Sequence, residues 1–169
     1  MENKTKRILI LSIILVFTNL VFAQKYLLPN EKLIYSFETQ NGKKCVLAKD
    51  KNDKYIIYRF GTKNKIEFEF PEKNKASWDK FKYTFYLRGG GIQNEGMDLN
   101  YIKFINDKYK YVIYDTYYAV ENESEIGIKI INLKDNTTTD IKGKESSRKG
   151  NLVDFRFNEQ LKIEDELEE

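Results

Sequence analysis

The chain of 169 residues has one third of its residues charged and a formal net charge of +3 at pH 7, and its length suits one domain with its own hydrophobic core. It contains no histidine and a single cysteine, Cys45. Histidine is the usual general base at neutral pH, so this composition excludes histidine-activated nucleophiles, a conventional zinc site and an internal disulfide.

The N-terminus has the parts of a secretory signal peptide. Basic residues at positions 4, 6 and 7 precede an apolar run from Ile8 to Phe22, and the small residues Val21 and Ala23 stand before the expected cut. The pattern predicts a signal peptide over residues 1–23 and export to the periplasm or the cell exterior. A retained membrane anchor is the alternative, but the run is shorter than the roughly 20 residues that a membrane-spanning helix needs.

Cleavage removes most of the net positive charge, because residues 1–23 carry basic side chains at positions 4, 6 and 7 and one acidic side chain, Glu2. The remaining chain is nearly neutral, so charge gives no argument for nucleic-acid binding. We expect no stable membrane insertion after cleavage and no cofactor. An envelope protein or a glycan is the expected partner.

Short runs rich in Tyr, Phe, Ile and Val recur at roughly ten-residue intervals between turn-forming clusters, which is typical of an all-β domain. The pattern predicts one antiparallel β-barrel or sandwich of eight to ten strands over residues 24–157. The acidic tail, residues 158–169, fits either a short C-terminal helix or a frayed end. The predicted strands cover residues 31–38, 43–49, 54–60, 64–70, 80–88, 99–106, 108–119, 125–133, 136–142 and 151–157.

Three local patterns refine this prediction. In Lys65–Phe70 the apolar residues at positions 66, 68 and 70 alternate with charged ones, which predicts one buried and one solvated face. Asn41 and Gly42 predict a hairpin turn because both tolerate positive φ. Tyr109–Tyr118 carries apolar residues on both faces, which indicates a central strand that is covered on both sides.

The segment Arg88-Gly89-Gly90-Gly91 begins the longest polar interruption of the strand pattern. Consecutive glycines can expose backbone N–H groups to an anion or allow a partner to approach the chain closely. The spacing matches neither the dinucleotide fingerprint nor the P-loop. The segment is therefore either a flexible connection or a binding loop with Arg88 as its charged anchor.

Twelve tyrosines in a small domain suggest a stacking platform for sugars or for a protein partner. At strand spacing, core positions and cross-strand aromatic pairs are the alternative explanation. Tyr114, Tyr117 and Tyr118 are the residues at which we expect an exposed patch.

Other polar groups fit surface or turn positions better than a reactive site. Glu67 and Glu69 lie on one strand face, as a pair of glycosidase carboxylates would, but on the face that the alternation predicts to be solvated. Ser146 and Ser147 lie among basic residues in a polar loop. The acidic turns near residues 50–53 and 135–137 lack the residue spacing of a calcium loop.

Two resemblances to known families follow from these segments. Tyr35–Leu47, Tyr58–Pro71 and Tyr101–Phe104 together resemble a family of small exported bacterial proteins that are mostly uncharacterised, over about residues 33–133. The Tyr-led first strand and the later Gly-rich segment are also similar to the membrane-bound and periplasmic inhibitors of c-type lysozyme. That resemblance implies a small antiparallel barrel and a loop that enters the lysozyme active site.

In those inhibitors the loop has a Ser-Gly-x-Gly-type sequence, and the matching segment here is Arg88–Gly91, with Arg88 where the serine is expected. The disulfide that is usual in that family is absent. The leading hypothesis is an exported, non-enzymatic binding module, with an inhibitor or immunity role against an envelope-acting hydrolase as its most specific form. The alternatives are a structural or cell-surface interaction protein and a carboxylate-dependent hydrolase.

Overall fold

The computed structural model describes residues 26–164, so the predicted signal peptide lies outside the described residues. None of the helices in this part of the chain is long and apolar enough to cross a membrane. The elements in chain order are the strands β1 (Glu31–Glu38), β2 (Lys44–Asp50), β3 (Ile56–Thr62), β4 (Lys65–Phe70), β5 (Phe81–Arg88), β6 (Met97–Asn106), β7 (Tyr109–Tyr118), β8 (Glu123–Asn132), β9 (Thr138–Lys142), β10 (Lys149–Gly150) and β11 (Lys162–Ile163), with 3-10 helices η1 (Lys75–Lys80), η2 (Gly91–Asn94), η3 (Glu145–Ser147) and η4 (Val153–Phe157).

The strands form two separate sheets, of order β10-β1-β2-β3-β4 and β11-β5-β6-β7-β8-β9. All neighbouring strands are antiparallel except β11, which pairs with β5 in parallel. The prediction of an all-β fold is confirmed, and of its two forms the structure supports the sandwich, since the described sheets do not close into a barrel. Most connections are short hairpins because consecutive strands lie next to each other.

The core lies between the two sheets and is strongly aromatic at one end. Phe104 of β6 stacks on Tyr111 of β7 and on Phe70 of β4, with ring centroids 4.7 Å apart in both pairs. Tyr58 of β3 packs against Phe104 at 5.1 Å. Burying such large rings supplies much of the stabilisation of the sandwich.

The first nine predicted strands correspond to β1–β9, with ends shifted by at most a few residues. The predicted strand over residues 151–157 is wrong, because this segment forms η4 after a short turn. Its buried side chains are Leu152 and Phe155, three residues apart, and the Phe155 amide donates to the Leu152 carbonyl at 3.1 Å. A spacing of three places both side chains on one side of a 3-10 helix, whereas a strand would place them on opposite faces.

The predicted alternation of Lys65–Phe70 is only partly correct. Phe68 and Phe70 pack against the core between the sheets, but Ile66 packs against apolar residues on the outer face. The cause is a β-bulge, since Phe60 pairs with Phe68 and the next residue, Gly61, pairs with Ile66. A bulge moves the following side chain to the other face of the strand.

β7 lies in the interior of its sheet, and both of its faces are covered, as predicted. Ile113 belongs to the core between the sheets. Val112 and Tyr114, on the other face, form a second buried cluster with Leu99 and Tyr101 of β6.

A buried ion pair lies on the outer face of the five-stranded sheet. The Arg59 guanidinium donates to both carboxylate oxygens of Glu31 at 2.6 and 2.7 Å, and both side chains are almost fully buried. Arg59 also donates to Glu69 at 2.6 Å and to the carbonyl of Tyr26 at 3.0 Å. Burial alone would raise the pKa of Glu31, but the hydrogen bonds from Arg59 and from the Leu28 amide lower it below its ordinary value.

Candidate functional site

The inward face of the six-stranded sheet changes from apolar to polar along its strands. On β6 the inward side chains run from Phe104 to Asn100 and Asp98, and on β7 they run from Tyr111 to Asp115. Asn100 lies directly opposite Asp115 in the ladder. The polar end of the sheet therefore places two carboxylates and an amide inside the sandwich, where polar groups need partners.

These side chains open into a cavity of about 370 Å³, which we call the polar cleft. Its floor is the inward face of β6, β7 and β8, and its wall is the segment of residues 148–153 that joins η3 to η4. The lining residues are Asp98, Asn100, Asp115, Thr116, Tyr117, Ser124, Arg148, Gly150, Asn151 and Val153.

Asn100 is the centre of the hydrogen-bond network under the cleft. Its side-chain oxygen accepts from the Tyr83 hydroxyl at 2.6 Å and from Arg156 at 2.9 Å. Its side-chain nitrogen donates to Asp98 at 2.7 Å. Arg156 also pairs with Asp98, and its guanidinium lies 4.8 Å from the centre of the Phe85 ring. These contacts fix the orientation of Asp98 at the edge of the cleft.

Asp115 is the buried carboxylate of the cleft. Arg148 donates to it at 2.8 Å from the opposite wall, and the arginine is about one third exposed. Burial raises the pKa of Asp115 above its usual range, although the neighbouring Arg148 charge and hydrogen bond lower it. Burial therefore outweighs the effect of Arg148, and the hydrogen bond from the Tyr35 hydroxyl also favours the ionised form of Asp115.

Two buried polar groups lie next to this network: the Nε of Arg156, which has no hydrogen-bond partner within residues 26–164, and the Tyr35 hydroxyl, which faces the Asp115 carboxylate. Tyr35 belongs to β1 of the other sheet and is fully buried. Its pKa is raised, first by burial and then by the charge of Asp115, which places the hydroxyl near that carboxylate. Unpaired buried polar atoms are uncommon in folded proteins.

The Gly-rich loop, residues 89–96, joins β5 to β6 and has a defined shape. Gly90 and Gly91 adopt φ angles of 93° and 62°, which favour glycine. The Asn94 side chain donates to the Gly89 carbonyl at 2.8 Å, and the Gly96 amide donates to the Gly91 carbonyl at 2.8 Å. These bonds within the loop indicate a compact loop in place of the flexible connection considered above.

Arg88 stabilises the same loop. Its Nε donates to the Glu95 carbonyl at 2.8 Å, and its guanidinium lies 3.5 Å from the Glu95 carboxylate. The Ala119 amide of the β7–β8 connection donates to the Gly96 carbonyl at 2.8 Å, so the two connections are joined. The Nε of Arg88 thus donates its hydrogen bond within its own loop.

Three aliphatic side chains at this end of the sheet are more than half exposed, and we call them the apolar tip. They are Leu87 at the end of β5, Ile92 in the Gly-rich loop and Val120 in the β7–β8 connection. Leu87 lies opposite Asp98 in the β5–β6 ladder, so the apolar tip and the polar cleft are adjacent.

The structure does not bring the three predicted tyrosines into one exposed patch. Tyr114 is buried on the outer face, where its hydroxyl donates to Asp140 at 2.9 Å. Tyr118 lies on the same outer face and is half-buried. Tyr117 points to the inward face and lines the polar cleft, so it is the one of the three that joins the candidate site.

The other polar residues considered in the sequence lie on the surface and in turns. Glu67 and Glu69 are exposed and pair with Lys43 and with Arg59 and Lys73, respectively. Ser147 fastens its loop to β1, because its hydroxyl accepts from the Glu38 amide at 2.8 Å. Within residues 26–164, no group of three or more His, Cys, Asp or Glu side chains could hold a metal ion.

Sequence reasoning missed Asp98, Asn100, Asp115, Arg148 and Arg156. A signal for the first three was available in the period-two pattern. Asp98 and Asn100 share a face with Ile102, and Asp115 lies between Ile113 and Tyr117 on the inward face of β7. Polar residues in the buried phase of a strand are candidates for a site. The two arginines follow β9, and only the tertiary fold places them beside these strands.

Comparison of the chain with protein-family models, with curated proteins and with solved structures finds no match. The geometry of the apolar tip and of the polar cleft is therefore the basis for any functional conclusion.

Proposed function

We propose that this protein is an exported, non-enzymatic binding module that contacts an envelope protein through the apolar tip. The observation that carries the proposal is the arrangement of Leu87, Ile92 and Val120. Leu87 is exposed at the end of β5, and Ile92 and Val120 are exposed on two connections that are hydrogen-bonded to each other at the same end of the sheet. Several exposed aliphatic side chains at one end of a sheet make that end a candidate protein interaction site.

The shape of the Gly-rich loop supports this proposal. The loop is held by hydrogen bonds from Arg88, Asn94 and Gly96, so little conformational freedom is lost when a partner binds. Binding through a preorganised loop costs less entropy than binding through a flexible one. Ile92 at the head of this loop is the residue best placed to enter a pocket of the partner.

An inhibitor of an envelope-acting hydrolase such as c-type lysozyme is the most specific form of the proposal. It combines the signal-peptide pattern of residues 1–23 with the resemblance of the Gly-rich segment to the lysozyme inhibitors. In this form of the proposal Ile92, in place of Arg88, is the side chain that enters the partner's cleft; the hydrogen bond of Arg88 within its own loop supports this choice.

The two alternatives have less support. A structural protein that assembles through sheet edges would need an open edge strand, but β4, one of the edge strands, carries exposed charges at Lys65, Glu67 and Glu69, which oppose edge-to-edge pairing. A carboxylate-dependent hydrolase would use Asp98 and Asp115. Both of these carboxylates are paired with arginine, an arrangement that holds a ligand more readily than it transfers a proton.

The test is inhibition of c-type lysozyme by the protein recovered from the culture medium or periplasm of an expressing host, after mass spectrometry has located its N-terminus. We expect Gln24 as the first residue and inhibition of lysozyme-driven cell-wall lysis. Ile92→Asp is expected to weaken inhibition about tenfold or more, because it removes a central contact. Ile105→Asp is the matched control, since Ile105 is similarly exposed at the opposite end of β6.

A second pair of variants tests the shape of the loop. A Cβ atom at Gly90 would lie 2.7 Å from the Cβ of Asn94 at a positive φ, whereas a Cβ atom at Gly89 meets nothing within 4 Å. Gly90→Ala should therefore weaken inhibition and Gly89→Ala should preserve it. Absence of inhibition by the wild type, or equal inhibition by all four variants, would contradict the proposal.

A further inference from the structure

We propose that the polar cleft is a binding site for a neutral saccharide. This site is separate from the protein-binding apolar tip, and its ligand is recognised by a different chemistry.

The charges of the cleft and its network cancel. Asp98 is paired with Arg156, and Asp115 is paired with Arg148. Two carboxylates and two guanidinium groups have no formal net charge, so the cleft attracts neither an anion nor a cation. A neutral ligand with many hydroxyl groups is the class that can use carboxylate acceptors and guanidinium donors at the same time.

The polar side chains are fixed before any ligand binds. Asn100 is buried and holds Asp98 on one side and Arg156 on the other. Arg156 is further held against the ring of Phe85. Planar side chains in fixed positions select a ligand by the directions of its hydroxyl groups, and little ordering is needed on binding.

The network also has a hydrogen-bond donor that residues 26–164 do not use, the Nε of Arg156, whose side chain is nine-tenths buried. The fully buried Tyr35 hydroxyl lies beside the network and interacts with the Asp115 carboxylate. A buried donor without a partner is costly in a site that serves only to stabilise the fold. It is consistent with a site that exchanges hydrogen bonds with a polar ligand.

The shape of the cleft fits one or two sugar rings. Its volume of about 370 Å³ is at the lower end of the range for small-molecule sites. Tyr117 supplies an aromatic wall that is 39% exposed, and Ser124 adds a hydroxyl on the same side. An aromatic face beside carboxylate and amide groups can contact the apolar face of a sugar ring while its hydroxyls are bound.

The test is calorimetric titration of the folded, secreted protein with chitotetraose, cellotetraose and maltotetraose, and with the acidic tetragalacturonate. We expect at least one neutral tetrasaccharide to bind, and to bind more tightly than tetragalacturonate. Asp98→Asn should weaken this binding about tenfold or more, because it removes a charged acceptor without changing its size. Asp140→Asn is the matched control, since the two side chains are equally exposed at 32% and Asp140 lies on the outer face.

A second pair of variants separates the aromatic wall from the network. Tyr117→Ala should weaken saccharide binding, and Tyr86→Ala should not, because Tyr86 has a similar exposure of 37% but points away from the cleft. Circular dichroism and urea unfolding establish that each variant is folded. The proposal is overturned if no neutral tetrasaccharide binds at about 10 mM, if tetragalacturonate binds best, or if Asp98→Asn and Tyr117→Ala both bind like the wild type. Ile92→Asp should bind saccharide normally, so this result is independent of the lysozyme assay.

Discussion

The buried ion pair between Arg59 and Glu31 makes a quantitative prediction about stability. Their side chains are 1% and 0% exposed, and the guanidinium donates to both carboxylate oxygens. Arg59→Met leaves the Glu31 carboxylate in the protein interior without its cation. Removing one partner of a buried ion pair costs about 3–5 kcal/mol of the free energy of unfolding. For a domain of this size, the midpoint of thermal unfolding should fall by about 6–20 °C.

The measurement is urea unfolding at neutral pH, followed by the fluorescence of Trp78, which is the one tryptophan of the chain and is buried. Lys73→Met is the matched control, because Lys73 pairs with Glu69, which also pairs with Arg59, but is itself exposed at 36%. An exposed ion pair contributes about 0–1 kcal/mol. The control should therefore be close to the wild type in stability.

A double variant separates the loss of the cation from the loss of packing. Arg59→Met combined with Glu31→Met removes both charges, and it should be more stable than Arg59→Met alone by about 1 kcal/mol or more. The reasoning is refuted if Arg59→Met loses less than about 1 kcal/mol, or if the double variant is as unstable as the sum of the two single variants predicts.

Two further predictions concern buried titratable groups. Burial raises the pKa of Asp115 in the folded protein. Below the ordinary aspartate pKa of about 4, the carboxyl is protonated in both the folded and the unfolded chain, so it leaves the free energy of unfolding unchanged. As the pH rises above this value, the carboxyl ionises more readily in the unfolded chain, and the free energy of unfolding decreases. The difference in free energy of unfolding between Asp115→Asn and the wild type should therefore shift in favour of the variant from about pH 3 to about pH 7. Urea unfolding that gives the same difference at both pH values would contradict this. Cys45 is fully buried and burial raises the pKa of its thiol, so a thiol reagent should label it only in denaturant, and rapid labelling of the folded protein would show that the core opens.

Most strands could be predicted from the sequence because their signals are local. Two turns lie between strands that the sequence predicts separately. They contain Gly42, with a φ of 80°, and Asp107, with a φ of 54°. Two errors have non-local causes. The bulge in β4 depends on how Lys65–Phe70 pairs with β3, and the helical form of residues 153–157 depends on the burial of Leu152 and Phe155 against the sheets.

The candidate site was only partly predictable. Gly89, Gly90 and Gly91 lie in a loop of defined shape, and the positive φ of Gly90 and Gly91 is a local property of glycine. The role of Arg88 is different from the predicted one, since its partner Glu95 lies across the same loop. The inward position of Asp115 follows from the alternation of β7, in which it stands between Ile113 and Tyr117.

The sequence by itself determined the all-β class and most strand positions, because turn residues and period-two alternation act over a few residues. It also supplied the prediction of export. The tertiary structure decided which polar residues meet. Asp98 and Asp115 belong to one hairpin, formed by β6 and β7, but Arg148 and Arg156 lie far from them in the chain. The two arginines reach the hairpin only because the segment after η3 crosses from one sheet to the other. Such a crossing depends on contacts between distant residues, and no local pattern of side chains encodes it.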